Sequence, residues 1–407
     1  MGRELADKGV LMIVQNLPVP FDRRVWMEAT TLRAAGLDVA VICPKKKMYT
    51  ASFEVLDGIT IYRYPLVFEA DRSVIAYVAE FVYCWIATAL LAVKAFIRRP
   101  FHIIHACNPP DTFFFLALFF RFFGVRFIFD HHDLSPEMYL AKGGRKDGIL
   151  YRMLLVLERL SMRTASLVIA VNESHREIAR SRHGIPAERL TVVRSGPRLS
   201  WGANVQADPT LKEGKEHLVV YLGEMCEQDG VDRLLDAIEV YHREYGKNVR
   251  FALVGGGPDR PRLMAMAQER GLIDSVTFTG RIPDEDLWRY LSSADVCVDP
   301  DPWTEWSDKS TMNKIIEYLA FGRPVVCFDL MENKRSGGDA CVYVVPNDTK
   351  LFAQELHTLL GDPLRRARMA AVGRQRFKEF LAWDNASEIL VRAYRELLYP
   401  RSASRIP

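Results

Sequence analysis

Short apolar runs alternate with longer stretches of helical periodicity along most of the chain. Gly9 to Gln15 is a compact apolar run that reads as a strand. After a Pro-rich turn, Arg24 to Ala35 repeats Val25, Ala29 and Leu32 at helical spacing, and Gly36 supplies the stop. Further strands are predicted at Asp38 to Cys43, Ile59 to Tyr64, Ile103 to Ala106, Val125 to Asp130, Leu167 to Val171 and Leu190 to Val193. Helices are predicted at Val74 to Ile97, Thr112 to Phe122 and Ile149 to Thr164. Strands separated by helices of about ten residues or more imply a parallel sheet covered on both faces.

The periodicity lapses after Pro197, where Gly202, Pro209 and Gly214 stand among polar residues, and restarts at His217 to Leu222. Helices then follow at Val231 to Tyr245, Pro258 to Arg270, Glu285 to Ser293 and Asn313 to Phe321, with strands at Arg250 to Val254, Val276 to Thr279, Val296 to Val298 and Pro324 to Phe328. The expectation is an α/β chain of two doubly wound, Rossmann-like domains facing a central cleft. They span 1–197 and 217–385, with a linker over 198–216 and a terminal helical segment over 386–407. Ligands of such sheets bind at the C-terminal ends of the strands.

Two segments are unusually apolar. Phe81 to Val93 and Phe113 to Phe120 carry no charge, and both runs are shorter than the roughly 20 residues a spanning helix needs. One reading is a buried helix on each. The other is a face lying on an anionic bilayer, because Lys94, Arg98, Arg99, Arg121 and Arg126 border the runs and Lys45, Lys46 and Lys47 occupy another loop.

Composition adjusts this picture in two places. The chain has 407 residues, 49% hydrophobic and 26% charged, which suits two globular domains and excludes a disordered or collagen-like chain. Lys plus Arg number 54 against 51 Asp plus Glu, a net charge of +3, so a nucleic-acid partner is not expected. The seven cysteines are scattered without a CxxC pair, and the first residues lack an apolar leader run, so a cytoplasmic location is expected.

Candidate chemistry collects at strand ends. Lys309-Ser-Thr-Met-Asn-Lys-Ile-Ile-Glu317 opens a helix, whose free N–H groups and positive dipole end suit a diphosphate. Lys309, Ser310, Thr311 and Lys314 add cationic and hydroxyl donors, and Glu317 is placed to accept from a ribose hydroxyl pair. The plainer alternative makes Ser310 or Thr311 an N-cap, but lysines at a positive helix end argue for a nearby anion. Gly223 ends the first strand of the second half, and Arg281, Met312 and Asn313 complete the donor-side set. Gly255 to Gly257 lacks a full GxGxxG and reads first as a tight turn.

In the first half, Asp130-His-His-Asp133 follows an apolar strand. Four consecutive residues cannot all converge on one ion, so a dedicated metal site stands behind an imidazole oriented by a carboxylate and facing substrate, with a buried structural histidine as the remaining reading. His105, Asn108 and Asp133 stand at this edge, with Asn16, Asp22 and Arg23 after the first strand.

These segments, in this order, resemble the retaining glycosyltransferases of family 4, which have the GT-B fold, and within them the bacterial capsule, exopolysaccharide and O-antigen enzymes. The resemblance is carried by NLPVPFDRRVWMEA, HACNPPD, FDHHDLSPEMY, YLGEMCEQDGVDRLLDAI, LVGGGP and KSTMNKIIEYLAFGRPVV. It implies a UDP- or GDP-linked sugar bound mainly by the second domain, and a lipid-linked saccharide acceptor on the first. It further implies transfer with retained stereochemistry and no obligatory metal or other cofactor; the apolar, cation-bordered segments add the expectation of a cytoplasmic protein peripherally attached to the inner face of the cell membrane. Glu317 matches the family glutamate that contacts the donor ribose, whereas Lys309 stands where the first family glutamate would be. Glu224, Gln228 and Asp229 occupy the place of the usual basic pair, so Lys309 and Lys314 are expected to neutralise the diphosphate. His132 matches the histidine near the transferred sugar, giving a catalytic set of His132, Lys314 and Glu317. The terminal helix is expected to cross back to the first domain. Alternatives are a nucleotide-sugar-binding scaffold without activity and a GT-B epimerase.

Overall fold

A computed structural model describes residues 5, 7–46, 48–66, 74–202 and 205–400, so Lys47 and 401–407 lie outside the described residues. The chain divides into two compact units, Met1–Arg194 with Ala386–Pro407, and Ser195–Asn385.

The first unit contains strands β1 (Gly9–Ile13), β2 (Asp38–Pro44), β3 (Phe53–Leu56), β4 (Ile59–Tyr64), β5 (Ile103–Cys107), β6 (Arg126–His131), β7 (Leu167–Ala170) and β8 (Leu190–Val192). They form one sheet in the order β3-β4-β2-β1-β5-β6-β7-β8, parallel except for β3, which pairs antiparallel with β4. The order reverses between β1 and β5, so the switch point lies above those two strands. Helices α1 (Arg23–Ala34), α2 (Val74–Arg98), α3 (Phe114–Arg121), α4 (Ser135–Ala141), α5 (Ile149–Thr164) and α6 (Glu173–His183) accompany the sheet. Asp22 caps α1 by accepting from the Val25 N–H at 3.1 Å, and Val25, Glu28, Ala29 and Leu32 form its buried face.

The second unit holds β9 (His217–Leu222), β10 (Val249–Val254), β11 (Val276–Gly280), β12 (Val296–Asp299), β13 (Val325–Phe328) and β14 (Cys341–Val344), all parallel, in the order β11-β10-β9-β12-β13-β14. Its switch point lies between β9 and β12. Helices α7 (Val231–Tyr245), α8 (Arg260–Glu269), α9 (Asp284–Ser293), α10 (Asn313–Ala320), α11 (Met331–Gly337), α12 (Thr349–Gly361) and α13 (Pro363–Arg376) follow. Helix α14 (Trp383–Leu398) starts in this unit, and its residues from Ala386 onward group with the first. There the Tyr394 hydroxyl lies 2.6 Å from His105 Nδ1.

Two expectations change. The stretch 198–216 is not a bare linker: Trp201 packs edge-on against Trp288 and Phe321, and Asp208 pairs with Arg289. These contacts bury apolar surface that a solvated linker would expose. The apolar run at 81–93 belongs to a longer helix, and Ala79–Arg98 has the length and composition to cross a membrane. That helix has two apolar faces. Cys84, Thr88, Ala92 and Ala95 are buried in the unit, while Val82, Ile86, Leu90, Val93 and Ile97 are exposed on the other side.

Candidate functional site

One strand from the switch point of the first sheet, Asp130 near the end of β6 is fully buried, and Arg24, His105 and His132 gather on its carboxylate. Arg24 from α1 donates to Asp130 Oδ1 at 3.0 Å and pairs with Glu28 at 3.0 Å. His132 Nε2 lies 2.6 Å from Asp130 Oδ2 and 3.0 Å from Arg24 Nε. One ring nitrogen cannot both donate and accept. The shorter contact, to a carboxylate, places the proton on Nε2 and directs it at Asp130. Burial alone would raise the Asp130 carboxyl, but Arg24 and His132 outweigh it and hold it well below the usual range. Glu28 goes the other way, pushed well up by burial and by Asp130. Arg24 thus faces one carboxyl held down and one pushed up.

Glu28, Cys107, Asp130 and His132 offer ligand atoms within 4.8 Å of one another, a donor set with metal-like spacing. The guanidinium of Arg24 already contacts both carboxylates, so the positive charge a metal would bring is supplied by the chain itself.

Asn108 fixes the loop that carries His132. Its Oδ1 accepts from the His132 and Asp133 N–H groups at 2.6 and 3.1 Å, and its Nδ2 donates to the Asp133 carbonyl and to Asp111. This corrects the expected acceptor side in two places. Asn108 and His105 are 2% and 0% exposed, and their polar atoms are spent on Asp133, Asp111, Asp130 and Tyr394, so they brace the site from behind. Asp22 acts as the α1 cap, and Asn16 and Arg23 are exposed. The arginine that reaches His132 is Arg24, one residue beyond the expected Arg23. Its spacing was the available signal, because Arg24 lies four residues before buried Glu28 and shares its helix face.

In the second unit, Gly223 follows β9, where a Cβ would come within 2.6 Å of the Tyr221 hydroxyl oxygen and 3.3 Å of Lys314 Cε. Gly255, at φ +134°, passes so close to Gly223 that a Cβ would overlap the Gly223 carbonyl. The triple glycine is therefore a turn packed on the β9 end.

Helix α10 begins at Asn313, with Met312 as an N-cap that makes no side-chain bond. Neither Ser310 nor Thr311 is the cap, and the Ser310 hydroxyl donates instead to the Trp306 carbonyl at 2.7 Å. The helix thus starts beside Lys309 without a side-chain cap at Met312, while Glu317 lies half-buried one turn further along. Tyr318 anchors the helix to the sheet, accepting from the Leu222 N–H at 2.8 Å and donating to the Val298 carbonyl at 3.1 Å.

Lys314 is the main correction here. Its ammonium is buried, 3.2 Å from Asp299 and bonded also to Asp301, above the Tyr221 ring. The anion that a lysine at a positive helix end calls for is supplied by these aspartates, so Lys314 gives no independent sign of a ligand phosphate. Asp299 and Asp301 escaped the sequence reading, although the Asp-Pro-Asp at a strand end was visible. Asn333 donates to Asp299 at 2.9 Å and completes the cluster. Lys314 holds the Asp299 carboxyl down against burial, while Asp301 is pushed well up by burial and by Asp299. Arg281 directly follows Gly280, the last residue of β11, and its backbone N lies 4.0 Å from where a Cβ on Gly256 would sit.

Two doubly wound units, each with polar side chains at its switch point, define the GT-B fold. Residues 22–196 match the model of a glycosyl transferase 4-like domain, and residues 216–362 that of the glycosyl transferases group 1. The chain is thus assembled from these two glycosyltransferase domain types. It is 28% identical over 227 residues to alpha-D-kanosaminyltransferase of Streptomyces kanamyceticus, covering 52% of this chain and 56% of that protein, less than two-thirds of its length. O-antigen chain mannosyltransferase B of Escherichia coli is 24% identical over 276 residues, 65% of this chain and 69% of the relative. The structure of Anabaena HepE in complex with UDP-glucose superposes with a TM-score of 0.70 at 16% identity, over 95% of this chain and 99% of that one.

Proposed function

We propose that the protein is a retaining glycosyltransferase that moves a hexose-type sugar from a UDP- or GDP-linked donor to a lipid-linked saccharide in bacterial surface polysaccharide synthesis. The observation that carries this reading is the uncapped start of α10 at the second switch point, with Lys309 before it and Glu317 beyond. Two similar proteins, O-antigen chain mannosyltransferase B and HepE in complex with UDP-glucose, support the same donor and acceptor classes.

In this reading the nucleoside diphosphate lies on the second unit. Lys309, Arg281 and the α10 N–H groups stabilise charge as it develops on the leaving diphosphate, and Glu317 accepts from the ribose. Lys314, tied to Asp299 and Asp301, holds the floor of that site in place. The acceptor lies on the first unit. Attack from the face the diphosphate leaves retains the anomeric configuration and sets the departing phosphate oxygen beside the incoming hydroxyl, whose proton it takes. His132, fixed by Asp130, orients the reacting sugar. No step calls on a metal or other cofactor.

A membrane surface is the third partner. The exposed apolar residues of α2 continue into Phe115, Leu118, Phe119, Phe122 and Phe123 of α3 and its end, and into Ile149, Leu150, Met153, Val156 and Leu160 of α5. An apolar face of this extent, bordered by Lys94, Arg98 and Arg121, suits the inner face of the cell membrane.

The test is transfer from UDP- and GDP-hexoses to polyprenyl-diphosphate saccharides by the full chain, followed as nucleoside diphosphate release and glycosylated product. One donor is expected to support turnover, and His132→Ala to lower it at least about tenfold. Lys309 at the first-glutamate position favours a second reading, a scaffold that binds nucleotide sugar without transferring it. Tight donor binding with no turnover by any acceptor would select that scaffold.

A further inference from the structure

A hollow of about 400 Å³ opens under the first sheet, at the edge opposite His132. Its walls come from the end of α3, the starts of β6 and β7, the last turn of α5 and the residue before β8. Arg121, Arg126, Arg163 and Arg189 line it, and among the described residues no carboxylate does. Arg189 reaches across to cap α5, donating to the Met162 and Arg163 carbonyls at 3.1 and 3.0 Å, while its Nε is buried without a protein acceptor. Arg121, Arg126 and Arg163 make no ion pair among the described residues. Four arginines line this one concavity, and the planar donor forks of arginine match phosphate oxygens.

The surroundings indicate where that phosphate comes from. Phe122, next to Arg121, is 90% exposed, and Phe119 and Phe123 continue the same surface. Phe123 packs on Phe96 of α2 with ring centroids 5.5 Å apart, so the apolar face of α2 runs up to the rim of the hollow. An anionic pocket ligand bordered by hydrocarbon-seeking side chains has the chemistry of a lipid headgroup. We propose that this four-arginine hollow binds the phosphate of an anionic phospholipid, fixing how the first unit sits on the bilayer. The proposal rests on the membrane reading above.

The experiment is flotation of the full chain with phosphatidylcholine vesicles, with and without about 30% phosphatidylglycerol, at about 0.1 M salt. Wild type is expected to float only with phosphatidylglycerol. Arg121→Ser/Arg163→Ser, both at exposed positions, should reduce partitioning about tenfold or more, as two basic residues near a surface imply. Lys350→Ser/Arg368→Ser, which removes the same charge from exposed positions of the second unit, should change it less than about twofold. Arg126→Gln is a second pocket variant should the double variant be poorly folded. Equal losses in pocket and control variants would overturn the pocket and leave the membrane reading standing. Wild type that ignores phosphatidylglycerol vesicles would overturn both. A soluble arm compares thermal unfolding in about 10 mM phosphate and in chloride at matched ionic strength. Stabilisation by phosphate that the pocket variants lose, with no effect of those variants on flotation, would assign the pocket to a soluble phosphate and overturn the lipid assignment.

Discussion

Lys314 shows how a side chain in an expected place can have a different task. Buried and paired with Asp299 and Asp301, it cannot be removed without stranding two carboxylates in the core. Lys314→Met should therefore destabilise the second unit by about 3–5 kcal/mol, as loss of one member of a buried ionic cluster does. Urea unfolding checks this, and a midpoint equal to wild type would show that the ammonium serves a ligand instead. Asp111 provides a pH test of the first unit. Burial pushes its carboxyl up to about 6, with Ser135 and Asn108 as its hydrogen-bond partners. A raised acid binds its proton more tightly when folded, so the folded state holds more protons between the unfolded value of 3.8 and about 6, and stability falls as pH rises through that window. Wild type should lose about 1 kcal/mol more than Asp111→Asn between pH 5 and pH 7. Parallel stability profiles for the two proteins would contradict the assignment.

Among the elements, β9, α7 and β4 fall at their predicted bounds because uninterrupted apolar patterns fix both type and length there. Strand β3 was missed. Its four residues alternate between exposed and half-buried, and only the turn at Asp57 and Gly58, with φ of 51° and 75°, marked the hairpin. The site was legible where it lies in contiguous motifs, such as 309–317 and 130–133. It was not legible where partners meet across sequence, as in Arg24 with Asp130 or Lys314 with Asp299. Helix α14 makes such a long-range contact, and its outcome is testable. Tyr394→Phe removes the bond to His105 and leaves a buried nitrogen unpaired, which should cost about 1–3 kcal/mol in unfolding while leaving nucleoside diphosphate affinity unchanged. A fall in that affinity with stability intact would contradict the bracing role.

For the molecule as a whole, a net charge of +3 conceals three local arrangements. Arg24 neutralises buried acids, Lys309 stands at a helix start, and four arginines surround a hollow at the opposite edge of the first sheet. Charge balance over the whole chain therefore says little about anionic partners, which are met by fixed local groups. The central claim is that the second unit binds a nucleoside-diphosphate sugar at the start of α10. Calorimetric titration of the full chain with UDP, GDP and their hexose conjugates tests it most directly. Saturable binding of one nucleotide series is expected, weakened about tenfold or more by Glu317→Ala. Absence of binding by every nucleotide, or binding untouched by Glu317→Ala, would contradict it.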